Sequence, residues 1–370
     1  MSPTRADSEA RFMRILVFNW RDIKNPEAGG AEVYTHEIMK RLAAKGYEIT
    51  WITAGFEGGK ENEIVDGIEI VRVGGKYSVY RKARRFYENS KTKYDVVIDE
   101  INTRPFMTPR FVGEDERVFA LIHQLAREFW FYETPFPLSY IGRYFLEDSW
   151  LSHYKNIPTL TVSQSTARDL ADLGFKNVII VPDGIDIEPL PSVPEKEKTP
   201  TIVFVGRFKK AKLPDHAIEA YKMVKKTIPD VRLWMIGDGY LRKNLERIAD
   251  ENIKFFGYVS KEKRIDLVAR SHILVVPAVR EGWGLVVTEA NAVGTPAIGY
   301  NVPGLRDSIK NQVTGILSKP NPSDLAMEVV RLIHDTQKLF KLSDSALEDA
   351  RRYSWDHSAR MVEEILEAYS

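Results

Sequence analysis

The stretch REGWGLVVTEANAVGTP, residues 280–296, holds two carboxylates whose spacing could do chemistry. Glu281 sits in a turn beside Gly282 and Gly284, and Glu289 follows about two helical turns later. Upstream, HILVVPAV is an apolar run of strand length, and GLVVTEANAVG reads as a short buried helix ending at Gly294. Glu281 therefore lies on a strand-to-helix turn and Glu289 on the helix. A glutamate near a helix N-terminus is favoured by the macrodipole, which accounts for Glu281 without any ligand. The two glycines are not explained that way, because they let a backbone approach something closely. A carboxylate can accept two hydrogen bonds side by side, which matches the vicinal diol of a ribose or a pyranose.

Cations and glycines recur at other strand ends. FVGRFKKAK places Gly206 and Arg207 directly after an apolar strand, with Lys209, Lys210 and Lys212 following. A solvated basic loop is the commoner outcome for such a run. Cations converging from one loop would also suit a diphosphate. NPEAGGAE puts Gly29 and Gly30 before a helix, where free N–H groups suit an anion, and a plain tight turn explains it equally well. The GxGxxG fingerprint is absent there, which disfavours NAD. VPDGID at 181–186 and MIGDG at 235–239, which contains Gly237, are ordinary turns taken singly. His123 ends the apolar run FALIHQ; a lone histidine is more often structural, but its place at a strand end raises its interest. Two carboxylates for two sugars, with Arg207 and Lys212 for the phosphates between them, have the shape of a nucleotide-sugar site.

These residues need a scaffold that gathers strand ends. The chain of 370 residues shows two halves with the same strand–helix alternation, RILVFNW to NVIIVPDGI and TIVFVGRF to SDLAMEVVRLIHD. Alternation of this kind predicts parallel sheets covered by helices on both faces. QSTARDLADLG reads as a helix capped by Ser163 or Ser165. IEPLPSVPEKEKTP, rich in proline and charge, reads as a linker between the halves. Two doubly wound domains in tandem would turn their strand ends toward a shared cleft. Composition narrows the rest. A formal charge of +1 removes any general argument for nucleic acid, and the absence of cysteine excludes disulfides and thiolate chemistry. No apolar run is long enough to span a bilayer and residues 1–12 have no signal-peptide core, so the chain reads as soluble and cytoplasmic. Residues 1–12 read as an extension, a tag or upstream sequence.

The series GGAE, VPDGID, FVGRFKKAK, MIGDG, FFGYV, EGWGLVVTEA and GTPAI resembles the retaining glycosyltransferases of family 4, over nearly the whole chain from Arg14 to the closing SWDHSARMVEEILEAY. The resemblance implies an α/β GT-B fold of two Rossmann-like domains, with an acceptor domain at 13–190, a donor-nucleotide domain at 200–350 and a C-terminal helix at 351–370 crossing back to the first. It implies transfer of a hexose from a UDP- or GDP-linked donor to a sugar, glycan or lipid-linked acceptor. Glu289 would hold the ribose, and Glu281 with the Gly282, Trp283 and Gly284 backbone would meet the transferred sugar or its phosphate. Leu285 opens the helix of that same segment. Arg207 and Lys212 would neutralise the diphosphate beside Gly206 and the Gly29–Gly30 loop. His123 would face the sugar, and the backbone near Tyr258 and Val259 would meet the base, with Gly237 at a neighbouring strand end. Two positions depart from the family pattern: Trp283 stands where Phe is commoner, and Lys212-Leu213 replaces the usual Lys-Gly. Without a strand-end Asp-x-Asp motif, neither a metal nor another cofactor is expected. A sugar-nucleotide epimerase of the same fold and a non-catalytic nucleotide-sugar binder are the competing readings.

The acceptor side is read from residues 125–154, LAREFWFYETPFPLSYIGRYFLEDSWLSHY. Stacked core aromatics and an apolar acceptor or membrane contact are equally good accounts of it. The basic run KYSVYRKARRFY at 76–87 would suit an anionic lipid surface, although a solvated helix face is commoner. Together the two admit peripheral contact at the inner face of the cell membrane.

Overall fold

The computed structural model describes residues 13–369; the segment 1–12, read above as an extension, lies outside the described residues. The first strand, β1 (Arg14–Phe18), is buried from Ile15 onward. Its neighbours β2 (Glu48–Thr53) and β5 (Val96–Glu100) pair with it in parallel, which sets Ile15 opposite both Ile49 and Val96. Such strands hide both faces under helices, so they read as continuous apolar runs rather than alternating ones.

With β3 (Asn62–Val65), β4 (Ile68–Arg72), β6 (Arg117–Leu121), β7 (Thr159–Thr161) and β8 (Val178–Ile180), the first sheet runs β3-β4-β2-β1-β5-β6-β7-β8. Only β3 is antiparallel in it. It joins β4 through Asp66 and Gly67, at φ +51° and +82°, the left-handed pair of a two-residue hairpin turn. The second sheet contains β9 (Thr201–Val205), β10 (Arg232–Ile236), β11 (Ile253–Gly257), β12 (Ile273–Val276), β13 (Ala297–Tyr300) and β14 (Gly315–Ser318). It runs β11-β10-β9-β12-β13-β14 and is parallel throughout. In each sheet the strand order reverses beside the first strand, β1 or β9, and that is where a crevice opens at the carboxyl ends.

The segment joining the halves is stitched down more closely than its proline and charge content suggests. Leu190 N donates to Ala292 O at 2.9 Å. Lys196 Nζ donates to Ala269 O and Gly294 O at 2.8 Å and to Thr295 Oγ1 at 2.9 Å. The first two are carbonyls near helix ends, which a cation satisfies. Burial pushes that ammonium down to about 7.

The C-terminal helix Trp355–Ala368 returns to the first sheet and packs on the helix Gly30–Ala44. Trp355 is 2% exposed within the first module's core, its ring 5.8 Å from that of Tyr34. Ser354 caps the helix by accepting from Asp356 N. Trp355→Ala should cost about 3–5 kcal/mol of unfolding free energy through the cavity it leaves, read from urea denaturation of the full chain. A change below about 1 kcal/mol would show that the helix contributes little to the first core.

Candidate active site

The strand ends of the two modules enclose a cleft of about 450 Å³. Its first wall begins with the loop after β1, which is fixed from below. Arg72, at the end of β4, holds buried Asp22 through two hydrogen bonds of 2.8 Å, the bidentate geometry that fixes a carboxylate most firmly. Arg21 pairs with Glu32 at 2.8 Å, and Glu32 Oε2 accepts from Gly29 N at 2.7 Å, which closes the first turn of the helix Gly30–Ala44. Gly29 and Gly30 are thereby presented to the cleft.

The second wall supplies the cations. Arg207, directly after β9, donates to Glu27 O at 3.0 Å, and its guanidinium lies against Gly29. A Cβ on Gly29 would sit 2.3 Å from Arg207 Nη2, so a larger residue there would push the guanidinium aside. Lys209 and Lys212 line the same cleft. Burial lowers the Arg207 pKa, and Arg21 nearby lowers it further. Burial pushes Lys209 down to about 8, with Lys212 and Arg207 adding to it. Neither Arg207 nor Lys209 makes an ion pair among the described residues. Like charges gathered without counter-charges are costly unless an anion joins them.

Both glutamates of the pair reach the cleft, and each is met by a cation. Lys212 Nζ donates to Glu281 Oε1. Glu289 is gripped by Arg264 on the helix Lys261–Arg270, at 2.5 and 3.0 Å. Arg264 looks in sequence like any surface cation of an amphipathic helix. Gly282 touches the opposite module, since a Cβ there would lie 2.9 Å from His123 O. Gly284, at φ +92°, is the left-handed residue from which the helix Leu285–Asn291 starts. Trp283 packs into the first module's core with its ring 5.4 Å from that of Tyr353.

His123 is 7% exposed and its Nε2 lies 3.4 Å from Glu100 Oε1, without hydrogen-bond geometry. Burial acts to lower its pKa, but the Glu100, Asp183 and Glu32 carboxylates outweigh burial and raise it. Three expected donor contacts stand off the cleft wall. Gly237 lies behind Gly206, whose carbonyl would be 2.0 Å from a Cβ there. Tyr258 is 75% exposed, and Val259 packs on the second module's core. The residues missed by sequence reasoning are Arg21, Lys209, Asp183 and Arg264, which all line the cleft. Lys209 and Asp183 stood in motifs already singled out; nothing local marks Arg21 or Arg264. Among the described residues no group of three or more His, Asp or Glu side chains is placed to hold a metal ion.

Residues 28–189 match the family described as Glycosyltransferase Family 4, and residues 187–351 match that described as Glycosyl transferases group 1. The chain belongs to glycosyltransferase family 4. It is 24% identical to an uncharacterized glycosyltransferase of Methanocaldococcus jannaschii, over 94% of this chain and 96% of that one. In three dimensions the transferase resembles sucrose-phosphate synthase of Thermosynechococcus elongatus, with a TM-score of 0.80, 19% identity, and coverage of 97% of this chain and 100% of the other. It also resembles Anabaena HepE, solved in complex with UDP and glucose, with a TM-score of 0.72, 16% identity, and coverage of 96% and 100%. The fold is GT-B, and the chain is an enzyme of the glycosyl-transferring class.

Arg280, one residue before the pair, clamps the transferase's two modules together. Its buried guanidinium takes Glu128 at 2.9 Å and Asp169 at 2.5 Å, both on the first module. Arg280→Met and Asp169→Asn should each lower the melting temperature. Their double variant should fall short of the sum, with a coupling of about 0.5–3 kcal/mol in a double-mutant cycle. Strict additivity would show that the pair does not join the walls.

Proposed function

We propose that this glycosyltransferase retains anomeric configuration and moves a hexose from a UDP- or GDP-linked donor to a sugar, glycan or lipid-linked acceptor. The observation that carries the reading is the gathering of Arg207, Lys209 and Lys212 beside the Gly29–Gly30 loop, in one cleft with Glu281 and Glu289. In this reading Glu289 accepts the ribose hydroxyls while Arg264 holds its carboxylate in place. Arg207 and Lys212 receive the diphosphate, with Gly206 and the Gly29–Gly30 backbone alongside. Glu281 and the backbone from Gly282 to Leu285 meet the transferred sugar, and His123 faces it from the other wall. The UDP and glucose bound to the Anabaena protein support a uridine donor.

Loss of the diphosphate builds negative charge on phosphate oxygens and positive charge on the anomeric carbon. Fixed cations in a partly closed cleft stabilise the former without reorganising as it develops. The acceptor oxygen bonds to the anomeric carbon on the face from which the diphosphate leaves. The electron pair of the broken bond goes to the phosphate, and the acceptor proton passes to a phosphate oxygen. Glu281 is the alternative proton acceptor. The reading needs no metal and no other cofactor, because the side-chain cations supply the charge a metal otherwise would.

The acceptor side supports a lipid-linked substrate at a membrane surface. Most of the aromatics between Phe131 and Phe145 are exposed, while Tyr154 is fully buried in the first module's core. Phe136 is 81% exposed, Phe145 69% and Tyr144 52%. Beneath them buried Glu147 accepts from Ala126 N at 2.6 Å and Arg127 N at 3.0 Å, so polar anchoring holds the segment while its rings face outward. The helix Val79–Asn89 exposes Arg81, Lys82, Arg84 and Arg85. No helix among the described residues is long and apolar enough to cross a membrane.

Three outcomes check this reading. Glu289→Ala should mainly raise the donor KM and Glu281→Ala mainly lower kcat, each by about ten- to a hundredfold, since a ribose contact is shared by ground and transition states and a charge contact is not. Normal turnover in both variants would remove the assigned roles. Transfer should survive EDTA, and loss rescued by magnesium or manganese would refute metal independence. The double variant Phe136→Ser, Phe145→Ser should lose flotation with anionic liposomes; unchanged flotation would remove the membrane contact.

A further inference from the structure

Asp183 is the carboxyl of the cleft that none of these roles uses. Glu32 is paired with Arg21, and Glu100 accepts from Thr35 Oγ1 at 2.7 Å. Asp183 lines the cleft at 5% exposure, and its side chain accepts no hydrogen bond from the described residues. A buried polar group without a partner costs free energy, and folded chains rarely leave one.

The turn that carries it is held on every side. Tyr34 Oη donates to Val181 O at 3.3 Å, and Ser358 Oγ on the C-terminal helix donates to Pro182 O at 2.7 Å. Gly184 is pressed to that helix, since a Cβ there would lie 2.3 Å from Trp355 N. The Tyr34 ring also meets the His123 ring edge-on at 5.0 Å. The backbone on either side of Asp183 is therefore fixed, which holds its carboxyl in the cleft wall. An unsatisfied acceptor, fixed by a rigid frame in a ligand cleft, is how a site is pre-organised for a substrate hydroxyl.

We propose that Asp183 accepts hydrogen bonds from hydroxyls of the transferred sugar and so selects which sugar-nucleotide is used. The inference rests on the donor reading above, which sets the diphosphate at Arg207, Lys209 and Lys212 and leaves the sugar between Glu281 and the wall of His123 and Asp183. Burial pushes the Asp183 carboxyl up to about 7, opposed by His123. His123 and Tyr34 of its own module stand next to it, Glu100 and Glu32 lie beyond them beside His123, and Lys212 and Glu281 line the other wall of the same cleft. A sugar hydroxyl donating to the ionised carboxylate would draw that pKa down again.

Calorimetric titration of the full chain with UDP and UDP-glucose, and with GDP and GDP-mannose, tests this. At about pH 8, Asp183→Asn should leave the affinity for the nucleoside diphosphate within about twofold of wild type. It should weaken the sugar-nucleotide by about ten- to a hundredfold. Wild-type affinity for the sugar-nucleotide should fall as pH drops through about 7, and that step should vanish in the variant. Stability should move the opposite way. An acid whose folded pKa is raised holds its proton in the folded chain where the unfolded chain has lost it. Wild-type stability therefore declines from about pH 4 to about pH 7, so Asp183→Asn should melt higher than wild type at about pH 8 and lose that margin toward pH 4. A merely structural aspartate would do the reverse. A variant that melts lower and binds sugar-nucleotide and diphosphate as wild type does overturns the assignment of Asp183 alone. A wild-type chain that binds neither diphosphate nor sugar-nucleotide overturns the donor reading and this inference with it.

Discussion

The approach of the Gly282 backbone to the His123 carbonyl sets the geometry on which the site depends. With no side chain at Gly282, the turn of the second module comes to within contact of the first; a Cβ would lie 2.9 Å from the His123 oxygen. That contact brings Glu281 and Lys212 opposite His123 and Asp183. Arg280 reinforces it two residues earlier with Glu128 and Asp169, and Asp307 accepts from Ser165 N at 3.1 Å across the same seam. Arg207 does the same at the other end of the cleft by lying on Gly29. The walls are thus held by backbone proximity at glycines and by a few charge-assisted bonds, the kind of contact that can part and re-form.

Electrostatics in this cleft run against stability. Burial and Arg21 lower the Arg207 pKa, and burial, Lys212 and Arg207 lower that of Lys209, while burial raises that of Asp183 on the opposite wall. These charges would relieve one another if they met, but the two backbones keep them apart. A cleft that separates unpaired cations from an unpaired carboxyl is complementary to a molecule with an anionic end and a hydroxylated end. The folded chain carries that cost, and a ligand of that shape would offset it.

The aromatic segment obeys a different economy. Trp130 turns inward onto Gly142, and its Nε1 reaches Glu147 at 3.3 Å. Phe131, Phe136, Tyr140 and Tyr144 are left outside, stacked on one another at 5.1–6.3 Å. Glu133 at the end of the helix Phe129–Glu133 accepts from Ala211 N at 2.8 Å, which ties this exposed face to the basic loop of the second module.

The alternation of apolar runs and helical patterns determined the two parallel sheets, because strands covered on both faces must be apolar throughout and helices covering them must be amphipathic. The glycines and charges at the strand ends determined which loops form the cleft, for the same topological reason. Asp66-Gly67, which drew no notice in the sequence, carries the hairpin of β3 and β4 through the left-handed turn that such a pair favours. The tertiary structure alone decided the partners. Arg264 on Glu289, Arg280 on Asp169 and Arg72 on Asp22 join residues 25, 111 and 50 positions apart, and no local pattern encodes a pairing that depends on how two sheets and their helices pack. It decided also that Phe131, Phe136, Tyr140, Tyr144 and Phe145 face outward while Tyr154 is buried, since a run of rings reads alike on a core face and on an open one. Asp183 shows the division most plainly. In sequence it is the aspartate of a turn, and only the packing of that turn against Tyr34 and the C-terminal helix sets it, without a protein partner, in the wall of the cleft.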